Sequence, residues 1–378
     1  MGVCLEKSRA LDQQVIKNQM LGKSMICLKL MCSGMASSAV SMCFISWLAP
    51  RSWQIVRWDA SRRRRLAAIL SGVIMGFGTA LGGSTPATAA AQFGARFSGS
   101  GLSLLGGLSG ALAFGVLEPW IRARLKPHAE SRKEADLADE QLLPPIHFNN
   151  VSNSSTSNNP EKESSILYRR LAIFAIFIAF LFTICLEAAF PWPQQARTAL
   201  VSLPRTHSAR LGRQYGLKAH AWSPSFCGCI IGFAQLPLAL NGAAIETSSA
   251  YLTLADSILR LDHRPGRNDL RANAGLLAHA AQLAVLIGIA IGSALSARIS
   301  TLLFLPSSSP NVNSPILSFI GTFVVLVAAR FARGCEFYHA LAGLSSFSIP
   351  SFFVITFFFL SGSSFSFLFL TLSSHPPP

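Results

Sequence analysis

Residues 72–94 read GVIMGFGTALGGSTPATAAAQFG, and neither this stretch nor the wider segment 66–95 contains an Asp, Glu, Lys or Arg. A helix needs about 20 mostly apolar residues to cross the hydrocarbon core of a bilayer, where backbone groups must bond to one another because no water is available. This run is long enough, but it is interrupted at Gly82-Gly83-Ser84-Thr85-Pro86. Pro86 has no N–H to give to a continuing helix, so the spacing predicts a helix that breaks within the membrane. Such breaks are where transporters present helix ends to a bound ion or solute.

The rest of the chain is consistent with lipid as its solvent. Of 378 residues, 51% are hydrophobic and only 13% are charged, with a mean hydropathy of +0.42. That is too apolar for a soluble enzyme of this length. Further charge-free segments cover 97–117, 171–186, 221–245, 272–297, 299–329 and 340–378. Several contain Pro or Ser/Asn clusters, so about seven to nine spans are expected. The predicted fold is all-α: a polytopic integral membrane protein with short broken or re-entrant helices.

The net charge is +15. The basic residues, however, sit at the ends of apolar segments and are not interleaved with aromatics, which excludes a nucleic-acid surface. Arg62 to Arg65 precede one span, and Arg122, Arg124 and Lys126 follow another. They read as anchors to lipid headgroups, which makes membrane lipids the first expected partner. The eight cysteines lack the regular spacing of a disulfide framework.

Four regions are expected. Residues 1–60 form an amino-terminal segment whose stretch 25–49 carries Lys29, leaving a first membrane helix and an uncleaved signal anchor both open. Residues 61–124 form a first membrane half, 125–166 a hydrophilic linker and 167–378 a second membrane half. The linker holds glycosylation sequons at Asn150 and Asn153. The closing stretch SSFSFLFLTLSSHPPP, 363–378, is expected to be a poorly ordered tail.

Glycines recur at the four-residue spacing that lets helix backbones approach closely in lipid: Gly72 and Gly76, Gly78 and Gly82, Gly106 and Gly110, Gly288 and Gly292. The first three pairs lead into or follow the break. For the last pair tight packing alone is expected. The layout of 66–115 recurs in 316–362: an apolar helix, a break (Gly83-Ser84, then Gly334-Cys335), a short run and another apolar span. Repeated halves with matching interruptions point to a site near the membrane midplane.

Three stretches carry a family resemblance. ARFARGCEFYHALAGLSSFSIPSFFVITFFFLSG, residues 329–362, resembles the YeeE/YedE sulphur transport proteins, with Gly334, Cys335, His339, Gly343, Leu344, Ser348 and Gly362 at matching positions. GFAQLPLALNGAAIETSSAY, 232–251, and the opening stretch 72–94 are similar to other parts of the same family. The resemblance implies inverted-repeat helices whose short broken helices meet at the centre. It also implies a cysteine-lined constriction that passes a small inorganic sulphur anion, thiosulfate, through thiol hydrogen bonding. A neutral S–H and a polarizable sulfur suit such a soft dianion, and helix amino-terminal ends offset its charge. Ser84 and Thr85 stand where relatives carry a cysteine, and either is the aligned position. Glu336, Phe337 and Tyr338 replace small residues, and Glu336 adds negative charge beside the anion path.

The candidate substrate-binding residues are therefore Cys335, His339, Ser84, Thr85, Gly83, Gly334 and Gln235. Cys335 is the first among them, against the alternative of an inert buried thiol. His339 lies one helical turn on, either donating to an anion or to Cys335, or bonded to a neighbouring carbonyl. Gln235 either lines the path or caps a broken helix. Cys227 and Cys229 have no partners at metal-ligand spacing, and His279 reads as a packed polar residue. No Walker A, GxSxG, HExxH or Rossmann pattern is present, so neither an enzyme nor a cofactor is expected. Two other readings remain open: a non-transporting membrane assembly protein with the same fold, and a sulphur-carrier or redox membrane protein.

Overall fold

The computed structural model describes residues 1–61, 65–124, 160–192, 194–195, 221–259, 269–299 and 314–374. Arg62 to Arg64, Lys126, Asn150 and Asn153 lie outside these residues, and the side chains of Arg122, Arg124 and His279 are likewise not described. The described chain is helical: α1 (Gly2–Lys7), α2 (Gln13–Met20), α3 (Ile26–Leu48), α4 (Pro50–Ser61), α5 (Arg65–Gly82), α6 (Pro86–Gly94), α7 (Ser100–Arg124), α8 (Pro160–Ala189), α9 (Pro224–Phe233), α10 (Gln235–Leu240), α11 (Ser248–Leu259), α12 (Asp269–Ile299), α13 (Pro315–Ala332), α14 (Glu336–Tyr338) and α15 (Ile349–Ser374). A π turn, His339–Gly343, prolongs α14.

Among the described residues, seven helices or helix pairs are long and apolar enough to cross a membrane: Ile26–Leu48, Arg65–Gly94 across its break, Ser100–Leu117, Ser165–Ala189, Ala280–Ile299, Pro315–Ala332 and Ile349–Leu372. The protein is an all-α integral membrane protein. Its outer surface is apolar where lipid would lie, as on α8, where Phe174, Phe177, Phe180 and Leu181 are exposed. The stretch expected to be a loose tail continues α15 as helix as far as Ser374.

The two halves are related by an inverted repeat. In each, a long helix breaks and restarts: α5 to α6, and α13 to α14. The last turn before each break is closed by a left-handed residue, Gly83 (φ 65°) and Arg333 (φ 55°). Gly78 packs against Gly321 and Val325, and Gly82 against Gly321 and Thr322, so α5 and α13 run in opposite directions. A second relation follows the same symmetry. Gly72 and Gly76 track upward along Val354 and Phe358, laying α5 parallel to α15, while Gly106 and Gly110 track along Phe319 and Phe323, laying α7 parallel to α13. Each half therefore lends its outer helix to the other's broken helix. The correspondence extends to earlier elements, since α9 lies against α3 as α1 lies against α12. Both pairings rest on glycine, at Gly228 over Leu30 and at Gly2 over Ile289.

The expected glycine packing therefore holds for the first three spaced pairs. It does not for the fourth. Gly292 rests against Val3 of α1, but among the described residues a side chain on Gly288 would meet nothing within 4 Å.

Lys29 is buried in the middle of packed helices, and α3 nonetheless spans. Its ammonium lies 2.6 Å from a carboxylate oxygen of Glu187 on α8 and also donates to the Phe190 carbonyl. Glu187 in turn accepts from the Trp192 N–H at 2.7 Å. Lys29 lies in the first turn of α3 and Glu187 in the last turn of α8, so the pair sits toward one end of the span and satisfies a buried ammonium there. Helix α3 is long and apolar enough to span and is packed inside the bundle.

Candidate functional site

Four chain breaks meet at the centre of the bundle: 8–12 between α1 and α2, 83–85 between α5 and α6, 241–247 between α10 and α11, and 333–335 between α13 and α14. Side chains tie them together. Gln92 on α6 donates from Nε2 to the Leu11 carbonyl at 2.8 Å and to the Gly83 carbonyl at 3.4 Å, joining the first break to the second. Thr247 donates to Cys335 Sγ at 3.3 Å, joining the third to the fourth. Tyr251 on α11 reaches the Pro86 carbonyl at 3.0 Å and closes the ring.

The second and fourth breaks are built alike. Thr85 is the N-cap of α6 with extended backbone (φ −121°, ψ 170°), and Cys335 is the N-cap of α14 in the same region (φ −78°, ψ 172°). Pro86 follows at the first helical position, where its missing N–H costs nothing. The proline that ends the first helix therefore also begins the second. Thr85 and Thr88 cap each other's backbone N–H groups, with Thr85 N–H to Thr88 Oγ1 at 2.7 Å. Cys335 makes no such cap.

This geometry separates Ser84 from Thr85. Ser84 is fully buried and shares a 2.7 Å hydrogen bond with Thr322 on α13, so it is tied into the crossing of the two broken helices. Thr85 faces the interior, where it lines a cavity of about 40 Å³ with Thr79, Thr88, Gln19, Cys27 and Glu336. That volume accommodates a few water-sized groups. The walls are otherwise aliphatic and aromatic, with Met20, Met31, Phe337 and Phe358 among them.

The other sequence candidates are distributed around this centre. Gly83 holds the positive φ of the break and gives its carbonyl to Gln92. Gly334 continues the matching turn, its N–H donating to the Ala329 carbonyl at 2.9 Å. Gln235 is fully buried and caps the third break, its Oε1 accepting from the Ile245 N–H at 2.9 Å, while Nε2 has no hydrogen-bond partner. His339 is fully buried, with Nδ1 2.9 Å from Ser351 Oγ on α15. The partner is a hydroxyl and not the neighbouring carbonyl of one of its two readings, and Gly343 also lies close to Ser351. Cys227 packs beside Cys4 on α1, with their thiols hydrogen-bonded, and no group of three or more metal-ligating side chains occurs among the described residues.

Sequence reasoning missed Thr247, Thr88 and Gln92. Thr247 stands immediately before the Ser-Ser-Ala-Tyr signature, and the Thr85-x-x-Thr88 spacing is that of a reciprocal cap, so both had a local signal. Gln92 had none, since its partners lie on a break far away in sequence.

The amino ends of α6 and α14 come to this small centre, and the hydroxyls of Thr79, Thr85 and Thr88 line its cavity together with the Glu336 carboxyl, while Cys335 is buried just outside the lining. Comparison with known proteins agrees with the motifs. Among curated proteins the chain has no match. A family model described as sulphur transport matches residues 7–364. The chain belongs to that family, the YeeE/YedE sulphur transport proteins, a family of integral membrane transporters.

Proposed function

We propose that the protein carries a small sulphur oxyanion of the thiosulfate type across its membrane through the constriction between Thr85 and Cys335. The observation that carries this reading is the pairing of the two N-caps: the thiol of Cys335 and the hydroxyl of Thr85 hold equivalent places on the inverted repeats, at the amino ends of α14 and α6. Thr247 supports the thiol by donating to Sγ, which leaves the S–H free to donate to a passing anion. The substrate is held by hydrogen bonds and helix-end dipoles, with no covalent step, and a soft sulfur contact favours thiosulfate over sulfate. The left-handed turns at Gly83 and Arg333 bring both helix ends inward, and Gln235 holds the third break through the Ile245 N–H.

Uptake of labelled thiosulfate, with labelled sulfate as competitor, tests the reading in sulphur-starved cells or proteoliposomes. Cys335→Ala is expected to lower thiosulfate uptake at least about tenfold, the cost of about 1.4 kcal/mol of lost binding at the constriction, and Cys335→Ser to retain part of it. Unchanged uptake by Cys335→Ala removes the thiol from the path.

A further inference from the structure

Glu336 follows Cys335 at the first position of α14, and its residue is only 2% exposed. It lines the central cavity beside Thr85, whose hydroxyl is the polar group directed at its carboxyl, and among the described residues neither carboxyl oxygen accepts a hydrogen bond of ordinary length. The titratable groups that face it come from three elements: Cys27 on α3, Tyr251 on α11 and Cys335 at the head of its own helix. Asp12, the N-cap of α2, faces Cys27 from the first break. All of these are neutral or acidic. Among the described residues no lysine or arginine forms an ion pair with Glu336, and Arg330 on the preceding helix pairs with Glu246 instead, at 3.5 Å.

A buried, unpaired carboxylate costs several kcal/mol, and a protein relieves that cost by holding the proton. An anion entering the same cavity would add like-charge repulsion and raise the cost further. The helix amino end works in the opposite direction and keeps the ionised form within reach. Such a group takes up a proton when an anion arrives and gives it back when the anion leaves.

We propose that Glu336 is the proton-binding group that couples anion passage to proton movement, so that the protein is a proton–anion symporter. The proposal rests on the sulphur-anion reading above. One proton joins the Glu336 carboxylate from the side on which the anion enters, both cross the constriction, and the same proton leaves to the opposite side with the anion. Protons balance at one per carboxyl per cycle, and a dianion crossing with one proton carries one net negative charge, so the membrane potential is held at zero in the test.

The test uses the full-length protein in proteoliposomes, with radiolabelled thiosulfate as probe. For the wild type, an inward proton gradient is expected to concentrate label by about tenfold per pH unit, the limit for one coupled proton. Glu336→Gln, the shape of the protonated form, is expected to exchange label independently of pH and to lose accumulation, and Glu336→Asp to restore some of it. Infrared difference spectra should show a protonated-carboxyl band in the wild type that Glu336→Gln lacks. Thiosulfate exchange by the wild type with no response to a proton gradient overturns the coupling and leaves the transport reading standing. So does gradient-driven accumulation by Glu336→Gln, or loss of all exchange in that variant while it remains monodisperse. A wild type that shows the carboxyl band but exchanges no thiosulfate overturns the transport reading itself, and the symport with it.

Discussion

Thr85 and Cys335 are counterparts across the inverted repeat: each is the extended N-cap residue that restarts a broken helix two positions after a left-handed turn, at Gly83 in one half and at Arg333 in the other. Their environments differ in one respect. Thr85 and Thr88 form a reciprocal cap, whereas no such cap forms at Cys335, whose sulfur accepts from Thr247 on another element.

Replacing Thr85 therefore separates stability from selectivity. Thr85→Ala removes a cap and is expected to cost about 1 kcal/mol, read as a lower unfolding temperature in detergent. On the proposed function, Thr85→Cys puts a thiol on both N-caps and is expected to raise the preference for thiosulfate over sulfate in a competition uptake assay. An unchanged preference would show that the second cap does not meet the substrate.

The Lys29–Glu187 pair predicts a thermodynamic cycle. Glu187→Gln leaves a buried ammonium with one carbonyl acceptor and is expected to destabilise by about 1–3 kcal/mol, less than a fully buried pair because Glu187 is partly exposed. Lys29→Met with Glu187→Gln should recover most of that loss, since no buried charge remains. Thermal unfolding of the four proteins measures the coupling, and simple additivity of the two changes would count against the pair.

Glycine contacts predict an order of severity. A side chain at Gly321 would collide with the backbone of Gly82, while one at Gly82 would meet Gly321 Cα at 3.0 Å, and one at Gly288 would meet nothing. Gly321→Ala is expected to cost about 1–3 kcal/mol and Gly82→Ala less. Gly288→Ala should be neutral or stabilise by up to about 1 kcal/mol, through helix propensity. Folded yield and unfolding temperature in one detergent rank the three.

The neighbouring thiols of Cys4 and Cys227 give a covalent test of the pairing between α1 and α9. With a protease site placed in the hydrophilic tract 141–159, mild oxidation should hold the two cleaved halves together on a non-reducing gel. Cys227→Ser should release them. Separation of the oxidised wild-type halves would place α1 elsewhere.

What the sequence disclosed was local. Gly83 and Pro86 marked the first break because glycine admits a positive φ and proline removes a backbone donor; at the second, Gly334 marked the place although the left-handed turn falls on Arg333, and the spans followed from runs of apolar residues. The matching layout of 66–115 and 316–362 was legible for the same reason. Other features depend on partners distant in the chain. Lys29 read as an interruption because its acceptor lies on α8, and α1 gave no sign of being the counterpart of α9, being six residues long and polar at its end. The choice between Ser84 and Thr85 needed cap geometry. Both carry hydroxyls, and only the fold turns one toward Thr322 and the other toward the cavity.

The exchange of outer helices between the halves has a consequence for biosynthesis. The glycine faces of α5 and α7 find their covers, α15 and α13, only after more than half of the chain has been made. At a translation rate of about 5–20 residues per second, the first half waits on the order of ten seconds or longer in the insertion machinery with those faces bare. The packing of those glycine faces is thus completed only when the second half has joined the first.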